Sequence, residues 1–149
     1  MSDRPRSWIV DASAILPIVD VEACSSRAGE WFADAEGRMA SSATVDLFDA
    51  ECANALLKRV RRERWPLEVA ERALGRVLEL PLRRIPIGDV VGDALRLAVG
   101  LELSVYDACY VALAATTGLP LVTGDRRMAR AARAIGCDAL CLTEGLGAS

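Results

Sequence analysis

The sequence predicts a single α/β domain in which a mainly parallel sheet carries helices on both faces. Its 149 residues fit one compact domain and leave no room for a second independent core. Short apolar segments alternate along the chain with longer stretches of helical periodicity. Strands separated by helices need crossover connections, and such connections join parallel strands. We therefore treat residues 1–149 as one domain.

Five short segments are the predicted strands. In chain order they are Ser7–Val10, Arg38–Ser41, Arg83–Ile87, Leu119–Thr123 and Ala139–Leu142. Proline cannot donate to a hydrogen-bonded ladder, so Pro86 indicates that the third strand lies at an edge of the sheet. Functional groups gather beyond the carboxyl ends of parallel strands. Asp11 follows the first strand there, and Asp125 follows the fourth after one glycine.

Helices are predicted between these strands. They are Glu22–Asp34, Thr44–Arg64, Pro66–Leu80, Asp89–Leu101, Ser104–Thr117 and Asp125–Ile135. Proline is favoured in the first turn of a helix, which places one helix start at Pro66. Glycine favours helix termination, which places the end of the first helix near Gly37.

The composition excludes several kinds of chemistry. The chain has 52% hydrophobic residues and a net charge of −3, which excludes a disordered protein. It contains no histidine, which excludes Ser-His-Asp and Cys-His triads, histidine-ligated zinc and imidazole acid–base catalysis. The reaction must then depend on carboxylates, hydroxyls, arginines, thiols or a bound cofactor.

The cysteines favour a cytoplasmic protein. They are odd in number and include no CxxC pair, which indicates free thiols in a reducing compartment. The five are Cys24, Cys52, Cys109, Cys137 and Cys141. The apolar run Trp8–Val10 is too short for a signal peptide, and the uncharged run 108–124 is broken before it reaches membrane-spanning length. We expect no association with a membrane.

Four carboxylates are the candidate catalytic residues: Asp11, Glu51, Asp107 and Asp125. Each aspartate also has a structural explanation as a helix cap or turn residue, and Ser104 with Asp107 resembles a capping box. Glu51 has no such explanation, because it lies in mid-helix on an apolar face. A glutamate almost never faces a core without a partner.

Convergence of these carboxylates predicts a divalent metal site. Two like charges 4 Å apart repel by about 4 kcal/mol at an effective dielectric constant of 20, so such a cluster needs protons or a cation. In the absence of histidine, oxygen ligands select Mg²⁺ or Mn²⁺. Such ions activate water and stabilise the transition state of phosphodiester cleavage. The residues therefore indicate a metal-dependent phosphodiesterase.

Four segments of the chain resemble the sequence blocks of PIN-domain ribonucleases, most closely the VapC toxins of bacterial toxin–antitoxin pairs. The segments are IVDAS at 9–13, ECANAL at 51–56, YDACYVALA at 106–114 and LVTGDRRM at 121–128. They occur in the family's order, and the resemblance covers residues 8 to about 142 as the core of the domain. One block alone is weakly specific, whereas the four together are specific.

This resemblance implies a three-layer α/β/α sandwich around a five-stranded parallel sheet, and Mg²⁺- or Mn²⁺-dependent endonucleolytic cleavage of RNA. Asp11, Glu51, Asp107 and Asp125 match the family's acidic quartet; Ser13, Asn54 and Thr123 match its polar companions. The family also implies a homodimer and a small VapB-like antitoxin whose tail fills the active-site groove.

The resemblance also suggests a role for each acid. Asp11 and Asp107 would bind the principal metal, Glu51 would hold a coordinated water or a second ion, and Asp125 would position the ion. The polar companions would orient these carboxylates. Some relatives carry another acid soon after the last aspartate, whereas Arg126 and Arg127 follow here. This departure weakens the case for a second metal ion.

Two groups of basic residues are candidate surfaces for a phosphate-bearing partner, and the second of them is the candidate RNA contact. Residues 58–64 carry a net charge of +4 and are either a phosphate-binding surface or a solvated helix end. Arg126, Arg130 and Arg133 lie on one helix face and are either RNA contacts or a solvated arginine face. Aromatic residues make up only 5% of the chain, and the sequence indicates no stacking platform for bases.

Other functions remain open to different degrees. A phosphorelay receiver domain needs a lysine after a late strand, whereas the sole lysine is Lys58 on a helix. Nucleotide-binding folds need glycine-rich phosphate loops, and the chain contains neither GxGxxG nor GxxxxGK[ST]. An RNA-processing PIN nuclease without an antitoxin and a PIN-like scaffold without catalysis remain as alternatives.

Overall fold

The computed structural model describes residues 7–15 and 39–144. The strands of these ranges are β1 (Ile9–Val10), β2 (Ala43–Val45), β3 (Arg83–Ile85), β4 (Leu121–Thr123) and β5 (Ala139–Cys141). The α-helices are α1 (Phe48–Glu63), α2 (Leu67–Leu78), α3 (Val91–Leu101), α4 (Val105–Thr117) and α5 (Arg126–Ala134). Two short 3₁₀ turns cover Ala12–Ala14 and Ile87–Asp89.

The five strands form one parallel sheet in the order β3-β2-β1-β4-β5. This confirms the predicted parallel sheet, and β3 lies at its edge as Pro86 indicated. Ile9 pairs with Ala43 on one side and with Leu121 on the other. The chain leaves β1 towards β2 and later returns to β4 on the opposite side, so the carboxyl ends of β1 and β4 form the switch point of the sheet.

Side chains alternate between two apolar layers. Ile9 and Leu121 pack in one cluster with the buried residues of α4. The next residues along each strand, Val10 and Val122, pack on the other face with Phe48 of α1 and with α2. This alternation follows from the two-residue period of a strand. Helices cover both faces, which confirms the predicted three-layer sandwich.

One predicted strand was wrong. Ala40 and Ser41, in the predicted strand Arg38–Ser41, form a turn, and the second strand is Ala43–Val45. Thr44 therefore lies in β2 rather than at the start of the long helix, which begins at Phe48. Its buried hydroxyl donates to the carbonyl of Val10 at 2.6 Å. This contact with β1, together with two buried β-branched side chains, favours the extended conformation over the helix.

The remaining described helices begin and end within about two residues of their predicted positions. Arg64 ends α1 in the left-handed region with φ 57°, and Ser104 caps α4 as predicted by accepting from the Asp107 amide. The predicted helix Glu22–Asp34 and residue Arg38 lie outside the described residues. The four described cysteines are free, which agrees with prediction, and Cys24 lies outside the described ranges.

An ion pair fixes the start of α1, the helix that carries Glu51. Arg84 of the edge strand donates through Nε and Nη2 to the two carboxylate oxygens of Asp49, at 2.8 and 3.0 Å. The same guanidinium donates to the carbonyls of Val77, Leu80 and Leu82. Such a two-pronged contact is geometrically specific. It ties the first turn of α1 to β3 and to the end of α2.

No single helix of the described ranges is long and apolar enough to cross a bilayer. The pair α3 and α4 reaches the required length and composition only together, and its two helices are bent by 110°.

Candidate active site

A cavity of about 660 Å³ opens at the carboxyl ends of β1 and β4. The structure brings all four predicted carboxylates to its wall, although they lie far apart in sequence. They are Asp11 after β1, Glu51 in α1, Asp107 in α4 and Asp125 before α5. The lining also includes residues of α1, of the turn after β1 and of the start of α4, and Met128 of α5. The switch point of the sheet is therefore also its acidic pocket.

Asp11 is held by two hydroxyl groups. Its Oδ2 accepts a short hydrogen bond from Ser13 Oγ and a second from Thr123 Oγ1 at 2.7 Å. The hydroxyl oxygens in turn accept from the backbone amides of Gly124 and Asp125, at 2.8 and 2.9 Å. Each hydroxyl group therefore donates its hydrogen bond to the Asp11 carboxylate. Because both act on Oδ2, Oδ1 remains for another ligand.

Gly124 allows this arrangement by its lack of a side chain. A Cβ atom at this position would lie 2.9 Å from the carbonyl oxygen of Ser13. Backbone cannot give way as a flexible side chain does, so any other residue would push the turn after β4 away from the turn after β1. The Gly124 amide would then be too far from Ser13 Oγ to donate to it.

The pKa of Asp11 is raised from 3.8 to about 6, mainly by burial and to a smaller extent by the negative charges of Glu51 and Asp107. Hydrogen bonds from Ser13 and Thr123 oppose this shift without cancelling it. The side chain is only 4% exposed. No cation is among the causes that shift this pKa. A buried carboxylate that faces two other acids is therefore destabilised in its charged form. The pocket is therefore suited to bind positive charge.

Glu51 is half-buried and accepts a hydrogen bond from the hydroxyl of Tyr110 through Oε1, at 2.5 Å. Burial raises the pKa of Glu51, the Tyr110 hydrogen bond lowers it, and the charge of Asp107 raises it. Tyr110 itself is fully buried in α4. The sequence predicted that this glutamate faces inward and needs a partner, but did not identify Tyr110 as that partner. The signal that was missed is its phenol hydroxyl, which must find an acceptor when buried.

Asp107 and Asp125 each lie at the start of a helix and also line the acidic pocket. Burial raises the pKa of Asp107, the charge of Asp125 raises it further, and Ser104 and Arg127 lower it. Asp125 caps α5, since its Oδ1 accepts from the amides of Arg127 and Met128 at 2.8 and 3.4 Å. The capping explanation of Asp125 is therefore correct, and the same residue lines the acidic pocket.

The residues of the pocket fit Mg²⁺ or Mn²⁺ by their chemistry. The donors are oxygen atoms of carboxylates, which hard divalent ions prefer, and the raised pKa values show charge that lacks compensation. Within residues 7–15 and 39–144, no three acidic or thiol side chains converge into a complete ligand set as they stand. The case for a divalent ion in this pocket therefore rests on the oxygen donors and on the uncompensated negative charge.

Asn54, the remaining polar companion, is exposed and lines the same cavity. Among the described residues it makes no hydrogen bond to the four carboxylates, unlike Ser13 and Thr123. Its predicted role in orienting them stays a prediction.

The predicted RNA-contacting arginines of α5 have partners in the chain itself. Arg126 donates to the carbonyl of Thr143 at 2.9 Å, and Arg133 pairs with Glu144 at 2.6 Å. Arg130 is exposed. None of the three lines the acidic cavity, whose cationic residues Lys58, Arg59 and Arg62 come from α1 instead. Contacts of α5 with RNA stay a prediction.

Comparison with known proteins agrees with this geometry. A family model described as PIN domain matches residues 8–134. The chain is 36% identical over 123 residues to Ribonuclease VapC3 of Pyrobaculum aerophilum, covering 81% of this chain and 91% of that protein. It is 34% identical to Exonuclease VapC9 of the same organism, covering 83% and 84%. The crystal structure of PAE2754 from Pyrobaculum aerophilum matches with a TM-score of 0.69 and 28% identity, covering 89% of this chain and 90% of that one.

Proposed function

We propose that this chain, which belongs to the PIN domain family as a VapC-type nuclease, is a Mg²⁺- or Mn²⁺-dependent endoribonuclease. Its proposed role is that of the toxin in a toxin–antitoxin pair. The observation that carries this proposal is the buried Asp11 carboxylate, whose pKa is raised to about 6 in a pocket shared with three other acids. A divalent cation compensates that charge. The same pocket, with a volume of about 660 Å³, would accommodate a phosphodiester.

Each acid has a task in this proposal. Asp11, Asp107, Glu51 and Asp125 would hold the ion, Asp11 through Oδ1 because Ser13 and Thr123 occupy Oδ2. Glu51, held at Oε1 by Tyr110, has Oε2 left to accept a hydrogen bond from the attacking water. When bound, the ion supplies activation of water and stabilisation of charge on the phosphate. The hydroxyl groups of Ser13 and Thr123 keep Asp11 oriented through this process.

A test is to incubate the purified protein with total RNA, with Mg²⁺ or with a chelator, and to map the new RNA ends. We expect new internal ends that form only with the metal. Progressive shortening from one terminus would instead indicate an exonuclease, the activity named for one relative. Cleavage that persists with chelator would contradict the proposal, and absence of cleavage with every RNA would favour the non-catalytic scaffold.

The partners in this proposal are RNA, a VapB-like antitoxin and a second copy of the chain, all in the cytoplasm. The four free cysteines support a reducing compartment. An apolar stripe on α3 supports the homodimer: Val91, Leu95 and Val99 lie on one helix face and are 41%, 59% and 79% exposed.

For the toxin role, a short reading frame directly upstream is expected. Its product should suppress the growth arrest caused by expressing the chain alone.

A further inference from the structure

One face of α1 changes from negative to positive as it leaves the acidic pocket. Glu51, Asn54, Lys58 and Arg62 follow one another at helical spacing, and all four line the cavity. At 1.5 Å per residue, Lys58 lies about 10 Å and Arg62 about 16 Å along the helix axis from Glu51. We call Lys58 and Arg62 the basic track. It extends the cavity from the carboxylates towards the end of α1.

The basic track is available for a ligand. Lys58 and Arg62 are exposed, and neither forms an ion pair within the described part of the chain. The neighbouring Arg59 differs, because it pairs with Glu63 at 3.0 Å and lies 5.5 Å from the centre of the Trp65 ring. Arg59 also lines the cavity, but its guanidinium is already paired near the end of the helix, whereas Lys58 and Arg62 have no such ion pair within the described residues.

A rigid helix presents the track. Leu56, on the opposite side of α1, is buried against Ala70 and Ala73 of α2. The Asp49–Arg84 ion pair fixes the other end of α1 to the sheet. Such an element fixes the backbone positions from which the cations extend relative to Glu51, which suits a ligand with regularly spaced negative charges.

The chemistry of the pocket favours single-stranded RNA over an acidic protein segment. Besides the cations, the cavity has Tyr106, whose side chain is 61% exposed beside Asp107. The composition indicated no stacking platform, but the structure places an exposed phenol ring at the pocket. Unpaired bases stack on such rings while lysine and arginine bind the phosphates. An acidic peptide would use the cations alone.

We propose that Lys58 and Arg62 bind phosphates of the RNA strand on one side of the scissile bond, so that a single strand runs from the pocket along α1. This inference rests on the proposed function and adds the path of its substrate. Contacts to phosphates carry no base sequence, so the track contributes affinity and register for any unpaired strand. The cut would then require several unpaired nucleotides on that side of the bond.

The test is binding of a fluorescent single-stranded oligoribonucleotide, measured by anisotropy in chelator over a range of salt concentrations. The double variant Lys58→Gln/Arg62→Gln should bind about ten-fold more weakly. Its slope of log K against log salt should be shallower by about 1.4, because two phosphate contacts are lost. Tyr106→Leu should weaken binding and leave the slope unchanged, since stacking releases no counterions.

A matched control removes two other positive charges. Arg61 of α1 and Arg76 of α2 are exposed and do not line the cavity, so Arg61→Gln/Arg76→Gln should change the slope much less. Equal RNA binding by the track variant and wild type overturns the inference. Loss of binding to an acidic peptide, with RNA binding retained, also overturns it and assigns the track to a protein partner. Track-dependent RNA binding by a wild-type protein that never cleaves would contradict the proposed function alone.

Discussion

At the scale of single residues, Asp11 shows a conflict between folding and the proposed activity. Its carboxylate is buried beside two other negative charges, and its pKa is about 6 against an ordinary value of 3.8. Compared with the unfolded chain, the folded protein therefore favours the protonated side chain. The stabilisation from that preference is present below pH about 4 and is lost as the pH rises through about 6. Above pH about 6, the ionised Asp11 side chain therefore lowers the stability of the folded protein when no cation is bound.

Asp11→Asn should therefore stabilise the metal-free protein at neutral pH. The rise of the Asp11 pKa from 3.8 to about 6 corresponds to about 3 kcal/mol in the free energy of unfolding at pH 7.5. Asparagine can keep the hydrogen bonds of Ser13 and Thr123 through its carbonyl oxygen. Urea unfolding in chelator at pH 7.5 and pH 4 measures the effect. We expect the variant to have a higher free energy of unfolding than wild type at pH 7.5 and no such gain at pH 4. A variant that is less stable than wild type at pH 7.5 would show that the Asp11 charge does not destabilise the fold.

Residue patterns predicted the four acids but not what surrounds them. An aspartate after a strand and a glutamate on an apolar helix face are visible in one sequence. Contacts over long separations are not visible in this way. Tyr110 reaches Glu51 across 59 positions and was not predicted as its partner. Thr123 reaches Asp11 across 112 positions, and only the family resemblance identified it as a companion of the carboxylates. The steric reason for Gly124 likewise depends on a backbone carbonyl more than a hundred residues away.

At the scale of elements, short strands were the least predictable. The strands are two or three residues long, so a shift of a few residues decides whether a residue lies in a strand or in the next helix. Thr44 shows this, because its place in β2 is favoured by a hydrogen bond to Val10 that local periodicity does not contain. Apart from the start of α1, the ends of the described helices were predicted to within about two residues, since their apolar pattern repeats over several turns.

The α3 stripe gives a prediction at this scale. Leu95→Glu places a charge in the middle of the apolar face and should convert the proposed homodimer to a monomer, because burying an unpaired charge is costly. Light scattering coupled to size exclusion measures the mass. Leu78→Glu is the matched control, since Leu78 is also exposed but lies on α2. A dimer that survives Leu95→Glu, or one that Leu78→Glu disrupts, would place the interface elsewhere.

At the scale of the whole molecule, the alternation of strands and helices predicted the parallel sheet and its three layers. It did not give the strand order, which depends on which strands pair in space. That order places the carboxyl ends of β1 and β4 side by side, and α1 and α4 bring Glu51 and Asp107 to the same place. The acidic pocket is thus a product of topology acting on residues that are scattered along the chain.

The central claim is that these four carboxylates act as one metal-dependent site that cuts RNA. Its most direct test is the rate at which one mapped RNA is cleaved at pH 7.5 with Mg²⁺ by wild type, Asp11→Asn and Asp138→Asn. Asp138 is exposed and outside the cavity, so its variant controls for the loss of one carboxylate charge. We predict that Asp11→Asn is folded and at least about a hundred-fold slower, while Asp138→Asn cleaves at the wild-type rate. A folded Asp11→Asn protein that cleaves as fast as wild type would contradict the claim.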